Sequence, residues 1–224
     1  MREVMVQYLQ HRLLRWFDEN QRVFPWREDG ATKYQQIVSE ILLQRTKAET
    51  VAKYFDTFFS KYSDWNALAN ASLEELEEVM KPLGLYRHRA KRLYKLGEDI
   101  RRRGGNIPGN SNELRDSGFI GLYVTNAFEL FILRNRKPLL DVNMSRLLKR
   151  YFKPGDFIDV RHDKEIQELA NDIVEVRRCK ELNWAILDYA ALVCKSRNPL
   201  CDECVLNKHC KYYELSKGNT TFIP

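Results

Sequence analysis

Four cysteines within a seventeen-residue segment near the C-terminus constrain this chain more than any other feature. Cys194, Cys201, Cys204 and Cys210 lie in CKSRNPLCDECVLNKHC, a C-x6-C-x2-C-x5-C spacing. Thiolates hold soft or borderline metals, and four of them suit tetrahedral zinc or an iron–sulfur cluster. Structural zinc usually takes two C-x2-C pairs separated by a longer span. Here a single C-x2-C is flanked by lone cysteines, a pattern that favours wrapping one [4Fe–4S] cubane over gripping one zinc. His209 adjoins Cys210, but four thiolates leave no vacancy for an imidazole. A fifth cysteine, Cys179, lies fifteen residues upstream of the loop and reads as a bystander.

The surroundings of the loop agree with a metal rather than disulfides. The N-terminal MREVMVQYLQHRLLRWF is amphipathic and charged throughout, unlike a signal peptide or a membrane span. The expectation is a soluble cytoplasmic protein, in a compartment where disulfides are disfavoured. At 224 residues, 44% of them hydrophobic, the chain can bury one large core or two modest ones. A net charge of +6 is gathered in three places: Arg87, Arg89, Lys91 and Arg92; Arg101 to Arg103; and Arg146, Lys149 and Arg150. Such clusters suit a polyanion such as nucleic acid, or they form solvated helix faces.

Periodicity predicts helices almost throughout. Val6, Leu9, Leu13 and Phe17 set a helix over 3–20, broken by Phe24-Pro25-Trp26. Further helices are expected at 33–45, 47–62, 73–80 (capped by Ser72 with Glu75), 86–103, from the turn at 117–121 to about 133, from Asp141 through Tyr151, and at 163–176 and 181–193. A turn or two of helix fits after Ser111. No strand pattern of any length appears, so the fold class is all-α.

Three segments carry further chemistry. In SNELRDSGFIGLYVTNAF, residues 111–128, Gly118 and Gly121 sit in a turn between two helices. The turn is either a plain connection or a helix–hairpin–helix element presenting backbone N–H groups to a phosphate. Asp141, in LLDVNMSRLLKRYF, is a helix cap, a carboxylate facing a cleft, or both. Glu40, in IVSEILLQRT, sits on an apolar helix. It is either a boundary glutamate paired with Lys or Arg or a desolvated acid with a raised pKa, suited to proton donation.

Together, FPWR at 24–27, SEILLQRT at 39–46, LDVNMSRLLKRYF at 140–152 and the cysteine loop resemble the helix–hairpin–helix DNA glycosylases that carry a [4Fe–4S] cluster. These are the relatives of endonuclease III, the MutY adenine glycosylases and the thymine–DNA mismatch glycosylases, and the likeness covers about residues 12–213. It implies two helical domains around a DNA-binding cleft. Residues 27–136 would form a helical barrel with the hairpin, and 137–224 the cluster domain, joined by the N-terminal helix of 1–26. It also implies a [4Fe–4S] cluster on Cys194, Cys201, Cys204 and Cys210, with Lys195, Arg197, Lys208 and Lys211 offering charge to phosphates.

The resemblance assigns roles residue by residue. Asp141 would stabilise the positive charge that develops on the sugar as the glycosidic bond breaks. Asn143 would support the phosphate backbone or orient water. Gln44 and Arg45 would wedge into the stack of a double-stranded DNA containing a mismatched or damaged base, and Gly118 and Gly121 would grip phosphate. Glu40 would be catalytic, together with position 123. Endonuclease III has a lysine at that position, which attacks the sugar and cuts the strand. Here the residue is Tyr123, so no Schiff base can form there, and a monofunctional enzyme leaving an abasic site is implied. GLYRHRA at 84–90 and the compact length look like the thymine–DNA mismatch glycosylases. Removal of T or U opposite G is therefore expected, with adenine removal opposite G or 8-oxoguanine as the alternative and a non-catalytic DNA-binding module as a lesser one. The protein is expected to act as a monomer, off the membrane, ahead of an abasic-site endonuclease. One departure is SGFIG at 117–121, where the family usually has LPGVG. Phe119 replaces a glycine there, which puts the hairpin's phosphate grip and ion site in doubt.

Overall fold

Apolar residues recurring every three to four positions fold the chain into helices, and among the described residues there is no strand. The computed structural model describes residues 2–84, 86–106, 108–110, 112–113, 121–155 and 159–218. The helices are α1 (Arg2–Asn20), α2 (Lys33–Leu42), α3 (Ala48–Lys61), α4 (Trp65–Ala69), α5 (Leu73–Met80), α6 (Tyr86–Arg102), α7 (Leu122–Phe131), α8 (Val142–Phe152), α9 (Lys164–Val174), α10 (Cys179–Leu192) and α11 (Lys211–Gly218). Among the described residues, no helix is long and apolar enough to cross a membrane. The chain divides into two compact units, Val23–Asn135 and Met1–Arg22 with Arg136–Pro224.

In the unit of Val23–Asn135, polar caps start the helices where the sequence places them. Ser72 and Glu75 form a reciprocal capping box, as Thr32 and Gln35 do for α2. Asp64 caps α4, a single short helix that periodicity does not reveal. Phe24 and Trp26 stack at 4.8 Å, both buried, and Pro25 opens the 3-10 turn between α1 and α2. Ile37, Ile41, Phe58, Leu76, Leu93 and Phe128 lie in the core. A Cβ on Gly97 of α6 would come within 3.0 Å of the Ala69 backbone, so glycine is what lets α6 lie against α4. The helix expected over 33–45 stops at Leu42, and Arg45 turns into the left-handed region with φ 59. The Gln44 carbonyl is captured from outside the helix by Arg89, which favours the turn over another helical residue.

In the other unit, Leu9, Leu13 and Phe17 bury the face of α1 against α10. Asn183 of α10 is fully buried: its side-chain oxygen accepts from Leu139 N at 2.6 Å, and its amide donates to Cys179 O at 3.0 Å. This pins the extended segment that leads into Asp141. Asp163 caps α9 and pairs with Lys149 of α8 at 2.7 Å. Helix α11, after the last cysteine, was not expected from the sequence.

Candidate functional site

Within the unit of Val23–Asn135, α2 packs on α7 and brings two of the sequence's candidates together. Glu40 lies in the last turns of α2 and is 3% exposed, flanked by Ile37 and Ile41. Tyr123, in the first turn of α7, donates its hydroxyl to Glu40 Oε2 at 2.7 Å. A buried carboxylate is tolerated when hydrogen bonds replace water, and this phenol supplies one. Gly121, before α7, has an ordinary extended φ of −80. Gly118 and the rest of the SGFIG turn short of Gly121 lie outside the described residues. Gln44 is half-buried and Arg45 exposed in the turn after α2, and the Arg92 guanidinium donates to the Gln44 side-chain oxygen.

Asp141 is the N-cap of α8, in the other unit. Its Oδ1 accepts from the backbone N–H groups of Asn143 and Met144, each at 2.8 Å, and its Oδ2 accepts from Asn143 Nδ2 at 2.6 Å. Both carboxylate oxygens are thereby held in one rotamer. Burial pushes the Asp141 carboxyl above the usual aspartate range, and these hydrogen bonds with nearby Arg146 pull it back. The polar chain continues along α8: Arg146 Nη1 donates to Asn143 Oδ1 at 3.1 Å, while its Nε reaches Cys194 O at 3.0 Å and its Nη2 Ala190 O at 2.9 Å. One turn on, Arg150 donates to Lys195 O at 2.6 Å and to Cys194 Sγ at 3.6 Å.

The four cysteines are free and line one small, largely apolar cavity with Arg150, Tyr212 and Tyr213. Hydrogen-bond donors aim at the sulfurs. Tyr189 Oη donates to Cys204 Sγ at 3.2 Å while accepting from Val205 N at 2.7 Å. Backbone N–H groups of Leu206 and Asn207 serve Cys204, and those of Tyr212 and Tyr213 serve Cys210. Without metal, burial pushes the Cys201, Cys204 and Cys210 thiols up, Cys210 to about 11. Four thiols, an apolar wall and converging donors fit a group that takes thiolates and spreads their charge. Cys179 is buried apart from them, beside Asn183.

The cysteine segment, residues 194–210, matches the iron–sulfur binding domain of endonuclease III. Residues 38–176, which hold Glu40, Tyr123 and Asp141, match the HhH-GPD superfamily base excision DNA repair protein family. The chain belongs to the HhH-GPD superfamily. Among HhH-GPD relatives, it is 34% identical over 213 residues to a thymine-DNA glycosylase of Aeropyrum pernix, covering 93% of this chain and 95% of that protein. It is 31% identical to a thymine/uracil-DNA glycosylase of Methanothermobacter thermautotrophicus, covering 90% of this chain and 91% of the relative. The solved structure of a thermostable thymine-DNA glycosylase superposes with a TM-score of 0.86 at 30% identity, covering 95% of this chain and 98% of that one. The all-helical fold, the helix–hairpin–helix glycosylase family and an iron–sulfur loop are thus as the sequence indicates.

Several residues of the basic clusters also have partners within the protein. Arg89 is buried, Arg146 and Arg150 bond the backbone of 190–196, and Lys149 pairs with Asp163. All four make hydrogen bonds or ion pairs within the protein. Their signal was present as spacing: Arg146 and Arg150 share one face of α8 at i,i+4. Tyr189 carried no comparable sign, since a tyrosine on an apolar helix reads simply as core.

Proposed function

We propose that this HhH-GPD protein is a monofunctional DNA glycosylase that removes T or U opposite G and leaves an abasic site. The pairing of Tyr123 with Glu40 supports the monofunctional half of this reading: a phenol bonded to a carboxylate is not an amine and forms no Schiff base. The likeness over nearly the whole chain to thymine and thymine/uracil glycosylases supports the choice of base.

The target nucleotide must leave the duplex, because the glycosidic carbon is shielded within it. The C1′–N bond then breaks with its electron pair going to the base, and positive charge grows on the sugar. Asp141, held in one rotamer by Asn143 and the start of α8, stabilises that charge in its ionised form. Water adds to C1′ and its proton leaves to the carboxylate or to solvent. Glu40 and Tyr123 answer the base as it gains electron density. Gln44 and Arg45 fill the space left in the stack, and Asn143, Gly118 and Gly121 contact the backbone. Cys194, Cys201, Cys204 and Cys210 would hold a [4Fe–4S] cluster, which would supply structural cross-linking of the loop of 194–210, and Arg197 and Lys208 of that loop, both exposed, meet phosphates. The protein acts as a monomer in the cytoplasm and hands its abasic product to an endonuclease.

The test is Asp141→Asn on a T·G duplex. Excision should vanish while duplex affinity is retained, whereas undiminished excision would remove Asp141 from the chemistry.

A further inference from the structure

Arg89, in the first turns of α6, is 2% exposed, and its hydrogen bonds go to backbone carbonyls and a hydroxyl. Its Nε donates to Gln44 O at 3.2 Å, and Nη2 reaches the same carbonyl and the Thr46 hydroxyl. Its Nη1 donates to Leu83 O at 2.9 Å and to Gly84 O at 2.5 Å. Thr46 Oγ1 also reaches toward Leu83 O, at 3.4 Å, and closes the ring. One guanidinium thus fastens the turn at 44–46 to the turn at 83–84. Between Gln44 and Thr46, Arg45 is exposed and sits at φ 59, a conformation a side chain resists unless its surroundings impose it.

We propose that Arg89 is a positioning residue for base opening: it clamps the Gln44–Thr46 turn in the one shape that presents Gln44 and Arg45 to a DNA duplex. The proposal rests on the reading of Gln44 and Arg45 as the residues that enter the stack. A planar fork with five donors can span both turns at once. A lysine ammonium, donating from a single point, holds only part of the set.

The clamp matters where a base must be prised out and little where it is already unpaired. The experiment compares Arg89→Met, Arg89→Lys, Gln44→Ala and the double variant R89M/Q44A with the unaltered protein on two duplexes: one with a T·G mismatch, the other with the same T in an unpaired bulge. Single-turnover excision is read on both. The fluorescence of a 2-aminopurine beside the target reads opening without requiring excision. R89M should lose roughly ten- to a hundredfold on T·G, the scale of small misplacements far from the chemistry. It should lose far less on the bulged T and should show a weakened fluorescence rise. R89K should fall between, and R89M/Q44A should be no worse than Q44A. A split in R89M with none in Q44A supports the clamp and removes Gln44 as the inserting side chain. Equal losses on both duplexes, or an unaltered R89M beside an impaired Q44A, overturn the proposal. If R89M does not fold, the same ratio in R89K decides.

Discussion

Tyr123 donates its hydroxyl to Glu40 Oε2 at 2.7 Å, tying the first turn of α7 to α2. The bond defines what this position can do. A phenol hydrogen-bonded to a carboxylate can polarise a base or steer a proton, but it cannot form an imine with an opened sugar. Tyr123→Phe should therefore slow excision about tenfold, the scale of one hydrogen bond. Glu40→Gln should slow it by about a hundredfold or more, if the carboxylate acts on the proton economy of the leaving base. Borohydride added during turnover should trap no covalent adduct with DNA. A trapped adduct would contradict the monofunctional reading.

The position of Asp141 gives a pH signature. Burial is the main influence and raises its carboxyl, while the amides of Met144 and Asn143, the Asn143 side chain and Arg146 lower it. The ionised form is the one that stabilises a cationic sugar, so activity should fall as pH drops through this raised value. Single-turnover rates should show an acid limb with its midpoint above the ~3.9 of an ordinary aspartate. Asn143→Ala removes one of the hydrogen bonds that favour the anion and should move the limb to higher pH. A limb at or below the ordinary value would show that some other group limits the rate.

The Lys149–Asp163 pair should govern acid stability of its unit. The lysine holds the Asp163 carboxyl below its ordinary range, and the same carboxylate caps α9 through Ile166 N. A depressed folded-state pKa means this contribution is in place above the ordinary aspartate pKa and is lost as pH falls through the folded value. Asp163→Ala should cost about 1–2 kcal/mol near neutral pH from the lost cap alone. The gap to the unaltered protein should narrow in acid. Denaturant unfolding at two pH values measures both.

The cysteine loop makes a chemical prediction that separates its ligands from the bystander. Cys204→Ser should lose iron and acid-labile sulfide together and weaken DNA binding most at low salt, where phosphate contacts contribute most, so that its salt dependence becomes shallower. Cys179→Ser should keep both, since Cys179 is buried beside Asn183 rather than at the cavity. Tyr189→Phe removes a donor to Cys204 Sγ and should alter the visible spectrum of the bound group while retaining iron. A colourless protein containing zinc would overturn the iron–sulfur reading.

Much of this was legible in the sequence because it rests on local rules. The period of Leu9, Leu13 and Phe17, the capping box of Ser72 and Glu75, and the cysteine spacing each act over a few residues. The resemblance assigns Glu40 and Tyr123 to the chemistry together, but their bond joins residues 83 positions apart and no local pattern encodes it. The basic clusters leave their detail open for a related reason. Charge counts cannot tell a guanidinium aimed at solvent from one that ties turns together, and Arg89, Arg146 and Arg150 do the latter. The early end of α2 has the same origin: Arg89, 45 residues away from Gln44, takes the carbonyl that another helical turn would use.

The central claim is the excision of T or U opposite G. A panel of otherwise identical duplexes carrying T·G, U·G, A·G and A·8-oxoguanine, cleaved by alkali after incubation, tests it most directly. Cuts confined to the T and U strands, and appearing only after alkali, are the predicted result. Selective cutting of the A strand, or cuts before alkali treatment, would contradict it.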